Sequence, residues 1–221
     1  MVDEMDDAEL ERVCEEKLYT GAICDMLDEM GYRHQYLGSE LMPLREGDVL
    51  CGRAYTTILD DIYEPVDPPM GKFNEALDHC PEGAVYVVAG GARRCGYFGG
   101  IMTATIKARG GKGAIVEGYM RDTREVLEQD FKVWSMGKNA QGSGARNEVV
   151  AYDVPVEING VRIEPGELLF ADVDGAVAIP PQIEQELIGR VLEKVDAERE
   201  TRAAIIGGMS ATEAVKRFGN F

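Results

Sequence analysis

Apolar residues recur at a spacing near 3.6 over residues 8–31: Leu10, Val13, Cys14 and Leu18, then Ile23, Met26, Leu27 and Met30. This period predicts two short helices, with Thr20 as a cap between them and Gly31 as the terminator. A longer stripe of the same period, Ile183, Leu187, Ile188, Val191, Leu192 and Val195, predicts a helix near the other end. Ser210 followed by Glu213 reads as a capping box opening a last helix. Between these ends the pattern shortens. Apolar runs at 49–57, 84–89, 114–118, 131–135, 154–158 and 168–171 predict strands. Helical patterns at 73–80 and 101–109 are interleaved with them. Residues 60–71 hold Pro65, Pro68 and Pro69 and read as a loop. Asn159-Gly160 is the signal of a two-residue hairpin, and Asp172-Val173-Asp174-Gly175 is a turn before a strand ending at Pro180. No repeat, linker or change of composition divides the chain, so residues 1–221 are predicted to form one α/β domain.

Composition narrows the function. Forty acidic against 23 basic residues give a net charge of −17. Nucleic-acid binding needs a basic surface to displace counterions, and anionic membranes likewise attract basic faces, so both partners are disfavoured. One arginine at short range still overrides this mean field for a small anionic substrate. No run reaches the ~20 apolar residues of a membrane span. The beginning of the chain, Met1 to Asp7, is acidic where a secretory signal is basic and then apolar. Five scattered cysteines without a C-x-x-C pair read as free thiols in a reducing cytosol, so a cytoplasmic location is expected. With only His34 and His79, a polyhistidine zinc site is excluded by count.

The densest cluster of chemically useful residues runs from Gly99 to Glu125. Gly99-Gly100 precedes a predicted helix, so the backbone there can approach a ligand closely. The free N–H groups at that helix start suit a carboxylate or phosphate. Arg121-Asp122 follows a strand-like run, where α/β folds commonly place function. Arginine offers a planar fork for a carboxylate, and aspartate a hard oxygen for Mg²⁺ or Mn²⁺. Side by side, the two suit a 2-oxo acid held as a chelate. Read singly, a diglycine is a tight loop and an Arg-Asp dipeptide a surface ion pair.

Together, Gly100, twenty residues, Arg121-Asp122, two residues and Glu125 resemble the G-x20-R-D-x2-E/D signature of one family. It comprises the 4-hydroxy-4-methyl-2-oxoglutarate aldolases and the RraA-like regulators of ribonuclease E activity. Ala104, Gly110, Gly113, Val116, Gly118, the 172–175 turn with Pro180, and Gly208-Met209-Ser210 extend the likeness. The resemblance implies a layered α-β-β-α swivelling-type domain with flanking N- and C-terminal helices, assembled as a homotrimer or a dimer of trimers. It implies that Arg121 binds the substrate carboxylate or oxo group and that Asp122 ligates a divalent metal. The backbone at Gly100, Ile101 and Met102 would hold the pyruvoyl carboxylate. A glutamate from a neighbouring subunit would help to hold the metal, with Glu198 the nearest match and Glu200 the competitor.

The implied enzyme is a metal-dependent lyase acting on a small 2-oxo acid, by aldol cleavage or by decarboxylation of oxaloacetate. Both reactions make a pyruvate enolate, whose charge a Lewis acid and an arginine stabilise. A Schiff base through Lys107 or Lys112 is the competing mechanism, and a non-enzymatic regulator docking on a ribonuclease is the competing function. Arg93-Arg94 beside Cys95 departs from the family pattern. It reads either as a reader of an extra substrate anion or as a local salt-bridge patch.

Overall fold

The computed structural model describes residues 5–64 and 66–219, so Met1 to Glu4 of the acidic start and Pro65 of the proline loop lie outside it. The predicted N-terminal helices are α1 (Asp7–Lys17) and α2 (Thr20–Glu29). The strands that follow are β1 (Met42–Pro43) and β2 (Leu50–Asp61). Helix α3 (Gly71–Asp78) leads to β3 (Ala84–Gly90) and β4 (Gly96–Phe98). Next come α4 (Gly100–Ala108), β5 (Gly113–Val116), β6 (Tyr119–Met120), α5 (Thr123–Glu128) and β7 (Lys132–Ser135). The second half holds β8 (Asn147–Tyr152), β9 (Val156–Ile158), β10 (Val161–Ile163), β11 (Leu168–Asp172) and β12 (Gly175–Ile179). Helices α6 (Glu184–Ile206) and α7 (Ala211–Phe218) end the chain.

The main sheet runs β1-β7-β5-β3-β2-β11-β12, with β8 also on β2. Strands β7, β5, β3 and β2 are parallel, which requires crossovers, and α3, α4 and α5 supply them. Strand β2 is long enough to take two partners on one edge. Its start pairs with β11 and its end with β8, through a register shift at Ile58/Leu59. The sheet curls until its ends meet. Leu37 N–H donates to Ala176 O of β12, and a few residues later β1 pairs with β7, so the segment 35–43 spans the gap between the end strands.

Alternation along the strands sorts the core into an inner and an outer face. On β3, Val85, Val87 and Ala89 point inward with Trp134, Leu169 and Ala178, and Ile158 and Ile163 of the β9–β10 hairpin plug that interior. Tyr86 and Val88 point outward beneath α3, α4 and α5. Farther round, Cys51, Phe170 and Val177 meet α1, α2 and α6. Helices outside and two β layers within make the layered α/β domain that the sequence predicts. The Asn159-Gly160 turn forms as expected, with φ of 51° and 76°.

One predicted cap differs. Tyr19 is the N-cap of α2 and makes no side-chain cap bond. Thr20 instead donates its hydroxyl and its N–H to the Asp172 carboxylate, at 2.5 and 2.8 Å, so its polar group ties α2 to β11. Ser210 does accept from Glu213 N–H, at 3.2 Å. Among the described residues no helix is long and apolar enough to cross a membrane.

Candidate active site

Two strand-to-helix junctions lie side by side beyond the ends of the parallel strands. Strand β4 runs through Gly99 into α4, and β6 runs through Arg121-Asp122 into α5. The two strands pair in parallel, Gly96 with Tyr119 and Phe98 with Met120, and Arg121 N–H extends the pairing to Phe98 O at 2.8 Å. Asp122 is the N-cap of α5 at φ 56°, a left-handed conformation that a short polar side chain tolerates. That twist turns its carboxylate toward α4 rather than back onto its own helix. Oδ2 accepts from Gly100 N–H at 3.2 Å and from Arg121 Nε at 3.3 Å. The approach requires glycine: a Cβ on Gly99 would lie 2.6 Å from Oδ2.

The N–H groups of Ile101 and Met102 precede the first intrahelical bond of α4, from Thr103 N–H to Gly99 O at 3.0 Å. Helix α5 braces this end. The Glu125 carboxylate lies against Gly100 where a Cβ would stand, and Gln129 Nε2, one turn on, donates to Gly100 O at 3.1 Å. The glutamate of the motif is therefore a packing partner of the α4 start. Arg121 and Asp122 face a groove of about 520 Å³, with Met102 and Phe98 on one side and Phe73 of α3 across it. Their side chains are 42% and 35% exposed, so both are open to a ligand while anchored. The remaining wall is the loop 137–146. It is stitched in place by Met120 N–H to Gly137 O, Gly96 N–H to Gln141 O and Ser143 Oγ to Gly96 O.

The fold thus gathers Gly100, Ile101, Met102, Arg121 and Asp122 at one place. Glu198 lies elsewhere in its own chain, on α6, where it accepts from the Tyr19 hydroxyl and lies 3.9 Å from Lys194. Burial, with that carboxylate beside it, pushes the Tyr19 hydroxyl up to about 12. Glu200 is exposed. Lys112 pairs with the buried Glu11, and Lys107 donates to Gln129 O. Neither lysine lines the groove; Lys138 is the lysine beside Arg121 and Asp122, in a smaller adjoining pocket. Arg93 pairs with Glu117, and Arg94 lies 3.4 Å from Asp61, so this basic pair is the local salt-bridge patch. Cys95 is buried against Asn147. Gly142, Ser143 and Arg146 join the groove without any signal near them in the sequence, because only the folded loop brings them there.

A fold of curled sheet and outer helices, with this glycine-lined Arg-Asp junction, defines the class to which the chain belongs. Residues 20–178 match the family described as RraA-like, Aldolase/RraA, and the chain is a member of it. The crystal structure of Streptomyces coelicolor RraAS2, "an unusual member of the RNase ES inhibitor RraA protein family", superposes with a TM-score of 0.78 at 30% identity. That likeness covers 90% of this chain and 98% of the other. A Burkholderia mallei protein named "Putative 4-hydroxy-4-methyl-2-oxoglutarate aldolase" is 35% identical over 103 residues, 46% of this chain and 62% of that one. Protein DlpA of Legionella pneumophila is 28% identical over 196 residues, which are 87% of this chain. The chain spans 31% of the length of DlpA and 62% of the Burkholderia protein.

Proposed function

We propose that this chain is a divalent-metal-dependent lyase that cleaves a pyruvate-derived 2-oxo acid, by aldol cleavage, by oxaloacetate decarboxylation or by both. The observation that carries this reading is Asp122, held through one oxygen by Gly100 N–H and Arg121 Nε while Oδ1 stays free of hydrogen bonds from the described residues. That arrangement fits Mg²⁺ or Mn²⁺. Among the described residues no three His, Cys, Asp or Glu side chains converge, and Mg²⁺ commonly takes one or two carboxylates and keeps several waters. When bound, the ion supplies a Lewis acid for negative charge on the 2-oxo oxygen.

The chain's own groups do the rest. The N–H groups of Ile101 and Met102 and the Arg121 guanidinium receive the substrate carboxylate, at the positive end of the α4 dipole. Arg121 also lies close enough to stabilise charge as the carbon–carbon bond breaks and the pyruvate enolate forms. Its Nε is oriented by Asp122 Oδ2, and its Nη1 lies close over Gly142, where no side chain blocks it. In this reading the chain works as a homotrimer or dimer of trimers. Glu198 or Glu200 of an adjacent copy completes the donor set, and Glu200 is the freer of the two.

The test is pyruvate release from oxaloacetate and from 4-hydroxy-4-methyl-2-oxoglutarate with Mg²⁺, with Mn²⁺ and with EDTA. Release that EDTA abolishes, and that Asp122→Asn lowers at least about a hundredfold, supports the lyase. Absence of release from both substrates overturns it. The similarity to RraAS2 then makes a ribonuclease-binding role the reading to pursue, by pull-down with a ribonuclease.

A further inference from the structure

Arg121 has a neighbour of the same charge. Gly142 sits between two guanidiniums: a Cβ there would collide with Arg121 Nη1, and its carbonyl accepts from Arg146 Nη1 at 3.0 Å. Arg146 is exposed and lines the same groove, and it makes no ion pair among the described residues. Arg45, Arg53, Arg93 and Arg94 are taken up by carboxylates, whereas Arg146, like Arg33, Arg109, Arg202 and Arg217, forms no ion pair among the described residues, and of these five it alone lines the groove. Two like charges packed against one residue repel each other, and an anion placed beside them relieves that repulsion. The backbone holds Arg146 in place, with its N–H donating to Ser143 O at 2.8 Å and its carbonyl accepting from Ile62 N–H at 2.9 Å.

The rest of the groove describes what lies between the two cations and α3. Phe73 and Leu77 of α3 and Met102 of α4 are buried apolar side chains facing it. A volume of about 520 Å³ leaves room well beyond a three-carbon 2-oxo acid head. We infer that Arg146 is a specificity-determining residue that reads a second acidic group on the substrate's distal half, with an apolar carbon body lying against Phe73, Leu77 and Met102. This rests on the lyase reading for its chemistry. The recognition itself is a binding property and is measured as one.

The experiment compares two probes that share a five-carbon 2-oxo chain and differ in the distal carboxylate, 2-oxoglutarate and 2-oxopentanoate. Neither carries the 4-hydroxyl that aldol cleavage needs, so calorimetric titration with Mg²⁺ present reads binding without turnover. The full chain is expected to bind 2-oxoglutarate at least about tenfold more tightly, as a charge-assisted contact gives. Arg146→Met brings the affinity ratio toward one, and Arg146→Lys keeps part of it because the charge remains. A wild-type ratio near one overturns the inference, as does a ratio that survives Arg146→Met, or millimolar probe that does not bind at all. Absence of pyruvate release with the ratio intact overturns the lyase reading alone.

Discussion

The indole N–H of Trp134 donates to the backbone carbonyl of Asp172 at 2.7 Å, although β5, β3 and β2 lie between their strands in the sheet. Only a sheet curled almost into a barrel brings β7 and β11 that close. Asp172 then passes the tie outward, because its carboxylate holds Thr20 at the start of α2. The buried indole and the buried carboxylate thus fasten the interior of the sheet to the outer helices.

Trp134→Phe keeps most of the ring and removes the donor, so the Asp172 carbonyl, which also faces Gly175 across the β11–β12 turn, loses one hydrogen bond in the core. Urea unfolding is expected to show a loss of about 0.5–1.5 kcal/mol. A loss below the error of the extrapolation would mean that this bond does not fasten the curl.

Gly142→Ala separates the site from the fold. Gly142 has no positive φ in need of glycine, and what a Cβ would meet there is the movable end of Arg121. Stability should stay within about 0.5 kcal/mol of wild type. The guanidinium is pushed out of place, so the apparent substrate affinity of the 2-oxo acid reaction is expected to fall about tenfold. An unchanged KM with normal Tm would show that Arg121 does not need that position.

Glu167 gives a pH dependence with a definite sign. Burial raises its carboxyl pKa, against the lowering effect of the Glu164 N–H that donates to it at 2.9 Å. The folded state therefore binds this proton more tightly than the unfolded chain. Its contribution to stability is greatest below the unfolded pKa of about 4.3 and is lost as pH rises through the folded value. Glu167→Gln keeps an acceptor oxygen without the charge. The variant should be more stable than wild type at pH 7, and the advantage should shrink as pH falls toward 4. Denaturation curves at both pH values check this.

The thiols should be inert in the native state. Cys14, Cys51, Cys80 and Cys95 are buried. Burial pushes both Cys24 and Cys80 up to about 11. At pH 8 each of these two is about 0.1% thiolate. Mass spectrometry after brief iodoacetamide treatment should find native chain unmodified and urea-unfolded chain carrying five adducts. Rapid native labelling at Cys24 would show that α2 opens readily.

The elements legible in the sequence are those whose own residues determine them. The stripes of α1, α2 and α6 and the Asn159-Gly160 turn follow from spacing and local backbone preference. So does the start of α4, where two glycines mark a close approach that the Asp122 carboxylate makes. The short strands β1, β4 and β6 carry no periodicity, since two or three residues are too few to show one. They exist because a distant segment pairs with them. Helix α5, six residues long, is held against α4 by Gln129 and is equally silent in sequence. The same distinction holds at the site. Arg121-Asp122 is legible from its motif, whereas Arg146 reaches the groove only through the tertiary bonds of the 137–146 loop.

The segment 35–43 lies between β12 and β7 and so covers the outer edge of each. A sheet with an open border can recruit another chain strand by strand, a route that leads to indefinite stacking. Along β12 and β7 the groups such a recruit would use are already engaged: Ala176 O and Ala178 N–H bond to Leu37 and Gln35, and β7 pairs with β1. Strand-by-strand addition at those two edges is thereby closed off.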